Sequence, residues 1–253
     1  MILRLATLAR PALVLAFVVA TPLSVRAQPR LEAAPLVTPF STGKPPAIPA
    51  PWRPVQIAAN KTPTAYDLVV DQGTVVLHAR ADAAASGLGH TVAFDLQSAP
   101  ILEWRWKIGN LVEGADNSDP TKEDSPARIV LQFDGTKSRL SLKDRAYFVL
   151  GKQLSGQEPA YATLMYVWSN RAPVGAVIPN PRTGRVQMVV VGSGATGVGS
   201  WQTIRRNVIE DFRRAFVEEP GPLTAVGVLT DTDNTGKSVE AWYGDLRFLP
   251  GAQ

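Results

Sequence analysis

The chain has 253 residues, 45% of them hydrophobic and 19% charged, with no cysteine and two histidines. That composition excludes a disulfide scaffold and thiolate chemistry, and it disfavours transition-metal sites and His-dependent nucleophilic catalysis. The formal charge of +4 includes Arg4, Arg10 and Arg26 of an acid-free leader; without them 23 basic residues face 22 acidic ones, which gives no electrostatic case for nucleic acid.

Residues 1–27 read as a secretory signal, with Arg4 and Arg10 ahead of an apolar run over 11–20 and small residues Val25 and Ala27 at a cleavage position. The run falls short of the roughly 20 residues a spanning helix needs. The expected mature protein is therefore periplasmic or secreted, with no membrane span. Residues 28–63 hold nine of the 21 prolines and read as a Pro-rich linker or surface arm, docking through Trp52 and residues 55–57, with a lead-in strand possible over 55–58.

Residues 64–250 form one expected domain of short strands. Residues 66–70 and 74–80 make a hairpin around Asp71-Gln72-Gly73; residues 81–89 read as a small-residue loop, and 90–96 as a strand. Residues 101–108 alternate strictly, with Leu102, Trp104, Trp106 and Ile108 on one face and Ile101, Glu103, Arg105 and Lys107 on the other. The two tryptophans fit a core wall, because Leu102 and Ile108 extend their stripe, or an aromatic platform for a sugar. Residues 110–125 form a long acidic loop suited to a hard cation or a carbohydrate rim. Strands follow over 127–133, 162–168 and 186–191; residues 136–156 fit either a helix or a strand pair. The Gly-rich stretch 192–199 lacks a phosphate-binding pattern.

Ile204, Val208, Phe212 and Phe216 recur every fourth residue and predict one amphipathic helix. An apolar strand over 225–230 leads to Asp231-x-Asp233-Asn234-x-Gly236, which begins like a calcium loop; the twelfth position is Trp242 rather than an acid, so an EF-hand is excluded. Asp231, Asp233 and Asn234 remain candidate ligands for Ca²⁺ in a β-sandwich site, with a capped turn as the alternative. No cofactor other than a possible Ca²⁺ is expected.

Taken together, Leu102-Glu-Trp-Arg-Trp106, Glu123-Asp124-Ser-Pro-Ala-Arg128, Leu164-Met-Tyr166-Val-Trp168-Ser-Asn170, Trp201 through Asp211 to Phe216, and Thr230-Asp231-Thr-Asp233-Asn234-Thr-Gly236 resemble a bacterial exported family known only as a domain of unknown function. The resemblance covers residues 68–248 and implies a single secreted β-rich domain with no established activity. Glu123-Asp124 departs from the paired aspartates expected there. The closing Tyr243-Gly-Asp245-Leu-Arg-Phe248 is similar to the last strand of galactose-binding-like jelly rolls.

The expected fold is all-β and mainly antiparallel, a jelly-roll β-sandwich with one amphipathic helix packed on it. The expected function is non-catalytic binding of a glycan or envelope polysaccharide through Trp104, Trp106, Asp124, Arg128, Tyr166, Trp168, Arg205 and Asp211. The alternatives are a polysaccharide hydrolase or lyase using Asp124 or Glu103, and a structural partner protein of the envelope.

Overall fold

Alternating apolar positions sort the strands into two curled sheets in the computed structural model, which describes residues 36–155 and 158–251. The signal segment lies outside the described residues. The first sheet has the spatial order β1 (Arg53–Gln56), β4 (Ala85–Phe94), β11 (Leu223–Asp231), β6 (Ser125–Phe133), β7 (Ala162–Ser169), β9 (Val186–Ser193) and β8 (Val177–Pro179). The second runs β10 (Gln202–Asn207), β5 (Ile101–Ile108), β12 (Ser238–Tyr243), β3 (Thr74–Asp82) and β2 (Ala65–Asp71), with β13 (Arg247–Leu249) also paired to β5. Every pairing is antiparallel except β7 with β9. The fold is a mainly antiparallel jelly-roll sandwich.

Aromatic side chains fill the space between the sheets. Trp104 stacks on Tyr166 at 5.1 Å and meets Trp106 edge-on at 5.5 Å, and Trp106 lies 6.2 Å from Trp168. All four are 0–1% exposed. Rings this size contribute most of the apolar area a core removes from water.

Several local expectations change once tertiary contacts are in place. Gln72 and Gly73 both take positive φ, so β2 and β3 are joined by a two-residue turn rather than a three-residue loop. The stretch 81–89 is largely strand, not loop. Its small residues permit close packing, since a Cβ on Gly87 would meet the Val228 carbonyl oxygen at 2.6 Å. Ile204 belongs to β10, and the helix α2 (Val208–Phe216) begins later, capped by Asn207, whose side chain accepts from the N–H groups of Ile209 and Glu210. Phe212 of α2 packs on Phe133 at 4.7 Å. The ambiguous stretch supplies a second helix, α1 (Leu142–Ser155).

The described part of the Pro-rich arm is built into the domain. Phe40 and Trp52 stack at 4.7 Å with Phe40 fully buried, the Trp52 indole donates to the Thr38 carbonyl, and β1 pairs with β4. No helix among the described residues is long and apolar enough to cross a membrane.

Candidate functional site

Most of the residues singled out by sequence lie inside the domain. Trp104, Trp106, Tyr166 and Trp168 leave no ring face for a sugar, so the platform reading is corrected: they form the inter-sheet core. Asp211 is also buried, and it accepts from the Tyr166 hydroxyl at 3.0 Å and from the Arg206 Nε at 2.8 Å. Its cationic partners are Arg206 and Arg214, whereas Arg205 is exposed on the opposite face of β10.

Asp124, Arg128, Asp231, Asp233 and Asn234 do come together, as a closed polar network. Arg128 is 2% exposed; its Nε and Nη2 each donate at 3.0 Å to the two oxygens of Asp231, and its Nη1 donates at 3.0 Å to Glu123. Asp124 is buried and accepts from the backbone N–H of Asn234 and from the N–H and hydroxyl of Thr235, which fastens the acidic loop to the turn after β11. Burial pushes the Asp231 carboxyl up to about 7, with Asp124 and Glu123 adding to the rise and Arg128 pulling against it.

The carboxylates of Asp124, Asp231 and Asp233 offer oxygens within 4.8 Å of one another, a donor set suited to a hard cation. Lys61 pairs with Asp233. Asn234 is exposed, and its side-chain amide donates to the Pro120 carbonyl, so Asp124 takes the place given to it in the sequence reading.

The accessible chemistry lies on the outer face of the second sheet, on the polar side of the alternating β5 strand. Lys107 pairs across the sheet with Trp242, and Trp242 with His78. The His78 and Trp242 rings stack at 4.7 Å with an interplanar angle of 7°. The Lys107 ammonium sits 4.2 Å from the Trp242 ring centre and 5.5 Å from that of Trp201, and the Arg105 guanidinium lies 4.5 Å from Trp201.

This face is concave. β2 and β10 are opposite edges of the sheet, yet the Trp201 indole, one residue ahead of β10, donates at 2.7 Å to Asp71 at the end of β2. Five flat strands would hold their edges roughly 19 Å apart, so the sheet must curl outward and residue 201 must fold over it. Lys107 also donates to Asp71 at 2.8 Å; that bond and the Trp201 bond hold the Asp71 carboxyl below its ordinary value.

A cavity of about 390 Å³ opens on the same face, lined among others by Thr74, Glu103, Arg105, Thr203, Asp245 and Arg247. It lies where β12 ends at Tyr243 and β13 resumes at Arg247, so the pairing along β5 is interrupted. Gly244 in the gap admits the Arg105 side chain: a Cβ there would lie 2.5 Å from the Arg105 Cγ. The Asp245 oxygens accept from the Ser41 N–H at 2.9 Å and its hydroxyl at 2.6 Å, so the short helical turn Phe40–Thr42 fixes one wall.

Of the predicted binding residues, buried Trp104 contributes to the cavity wall, and Arg205 stands next to it as the cross-strand neighbour of Glu103. Trp201, Trp242, Thr203, Asp245 and Arg247, which share this face, were not among the candidates read from the sequence. The usable signal was the polar half of the 101–108 alternation and the phase of Trp242, which faces away from Ala241 and Tyr243.

No curated protein matches the chain. Among solved structures it is similar to the carbohydrate-binding module CtCBM11 (10% identity, TM-score 0.41, covering 88% of this chain and 100% of that one). It is also similar to the xyloglucanase domain of NopAA from Sinorhizobium fredii (8%, 0.42, 81% and 100%) and to the endo-1,4-β-glucanase CelB2 (13%, 0.42, 86% and 99%). The model of DUF3047, a protein family of unknown function, matches residues 50–247, and the chain belongs to that family.

Proposed function

We propose that this chain is an exported, non-catalytic glycan-binding module whose site is the concave outer face of the second sheet. One observation carries the reading: the Trp201 and Trp242 indoles stand on the same face as a cavity lined by two carboxylates, two guanidinium groups and hydroxyls. The outward edges of these rings, whose faces carry His78, Lys107 and Arg105, pack on the C–H surface of a sugar, and charged and hydroxyl groups satisfy its hydroxyls. Export rests on the signal-like residues 1–27.

A hydrolase is the second reading, because Glu103 and Asp245 line one cavity. Both oxygens of Asp245 are already occupied by Ser41, which leaves it poorly placed to exchange a proton or attack a sugar. Asp124, the other acid considered, is buried and drops out.

The test is a thermal melt of the mature chain against a panel of plant and envelope glycans, followed by calorimetry with Trp242→Ala. A ligand at 100 times its Kd adds about 2.7 kcal/mol, a shift of a few degrees at this size. Binding that Trp242→Ala leaves intact, or a flat panel, removes the proposal; release of reducing ends that Glu103→Gln abolishes establishes the hydrolase.

A further inference from the structure

Two guanidinium groups without a side-chain hydrogen-bonding partner, those of Arg105 and Arg247, line the cavity, and a third, that of Arg205, stands beside it on β10. Arg205, Glu103 and Arg247 form one cross-strand row over β10, β5 and β13, and Arg105 stands two residues along β5. The Arg105 guanidinium lies over the Trp201 ring, its stem passes Gly244, and it makes no side-chain hydrogen bond. Arg247 comes no nearer to a carboxylate than 3.8 Å, at Asp245, whose oxygens already accept from Ser41. Among the described residues neither the Arg205 nor the Glu103 side chain makes a hydrogen bond or ion pair, although they are neighbours in register. Elsewhere the domain ties arginines down: Arg128 on Asp231 and Glu123, Arg206 on Asp211, Arg185 on Glu218.

Arg105, Arg205 and Arg247 outnumber the two carboxylates beside them, Glu103 and Asp245, so this wall is net positive, in a chain whose acids and bases otherwise nearly balance. A guanidinium presents a planar fork of donors that matches a carboxylate in bidentate fashion. Extending the glycan reading, on which it rests, we infer that the ligand is an acidic polysaccharide whose sugar rings carry carboxylates, that is, a uronate-containing chain. Arg205 and Arg247 receive the uronate carboxylates from the two sides of the row, with Arg105 on the cavity wall between them. Glu103 and Thr203 accept ring hydroxyls, and the Glu103 charge rejects a carboxylate placed over the centre of the row.

The test is calorimetry with a short oligogalacturonate and with the same oligosaccharide after reduction of its carboxyl groups, each at low and high salt. The expected result is that reduction weakens binding about tenfold or more and that salt weakens only the uronate. Arg205→Gln and Arg247→Gln, both exposed and expected to melt with the wild type, should each weaken the uronate severalfold and leave the reduced sugar unchanged. Equal or tighter binding of the reduced sugar, or of neutral glycans alone, overturns the acidic class and leaves the glycan reading standing. Uronate binding insensitive to both arginine variants overturns the placement. If no glycan in the panel binds, the broader reading fails with it.

Discussion

The Trp201 indole hydrogen-bonds at 2.7 Å to Asp71, a residue 130 positions earlier at the opposite edge of the same sheet. That bond, with the Lys107 ammonium on the same carboxylate, closes the curl that gives the second sheet its concave face. The shape of the site therefore depends on a few polar contacts outside the core. Asp71→Ala should cost about 1.5–3 kcal/mol, the usual range for hydrogen bonds to a charged group. A double-mutant cycle with Trp201→Phe should show coupling of about 0.5–3 kcal/mol in urea unfolding. Additive effects would mean that the two edges are held by something else.

Core and site tryptophans should separate cleanly. Trp104→Ala removes a fully buried ring stacked on Tyr166 and should cost about 3–5 kcal/mol. Trp242→Ala removes a half-buried ring on the outer face, and its main effect should be on ligand binding rather than on the melting temperature. Chemical denaturation of both variants, beside calorimetry, reads the two effects independently. Equal destabilisation would place Trp242 with the core.

These two tryptophans also show how much was legible in the sequence. Alternation over residues 101–108 identifies the inward stripe without a structure, because a strand must send successive side chains to opposite faces. The jelly-roll class follows from short strands punctuated by turns. The site was not legible, because its residues come from β3, β5, β10, β13 and the turn at Ser41, and only the curl brings them together. Arg205 and Arg206 are adjacent in sequence, and the strand geometry of β10 alone decides that Arg206 faces Asp211. The acidic turn drew attention for its charge, yet its acids face Arg128 and Lys61 within the domain.

Arg128 should be the most sensitive charged residue in the molecule. It is fully enclosed, spans Glu123 and Asp231, and its removal leaves Asp231 buried without a counter-charge. Arg128→Met should cost about 3–5 kcal/mol, the range for breaking a buried pair from one side. The double variant Arg128→Met with Asp231→Leu should recover part of that loss, measured by urea unfolding. A double variant as unstable as the single one would show that packing, not charge, sets the cost.

Lys61 supplies the only cation on Asp233 among the described residues, at the rim of a cluster with three carboxylates. Replacing Lys61 with Met leaves the carboxylates of Asp124, Asp231 and Asp233 with Arg128 as their remaining cation. We predict that Ca²⁺ raises the melting temperature of the Lys61→Met protein more than that of the wild type, because in the wild type the ion must displace an ammonium group. Differential scanning with Ca²⁺ and with chelator decides this. Identical responses would mean that the cluster takes up no divalent ion in either form.

The His78 imidazole should make stability pH-dependent in a defined direction. Its Nε2 has no hydrogen-bond partner; burial lowers its pKa below 6.5 and the nearby Arg80 lowers it further, while Glu240 at 3.6 Å and Asp67 at 3.9 Å pull it back. The unfolded chain therefore takes up a proton at a higher pH than the folded one. The contribution of neutral His78 is fully present above pH 6.5 and is lost as pH falls through the folded-state value. The stability gap between wild type and His78→Asn, measured by urea unfolding from about pH 8 to about pH 5, should narrow on acidification. Glu240→Gln, which removes one of the carboxylates favouring the charged ring, should lower the His78 pKa further in an NMR titration. A gap that widens in acid would mean that the folded protein holds His78 as an imidazolium between Asp67 and Glu240, and the two carboxylates would then outweigh burial.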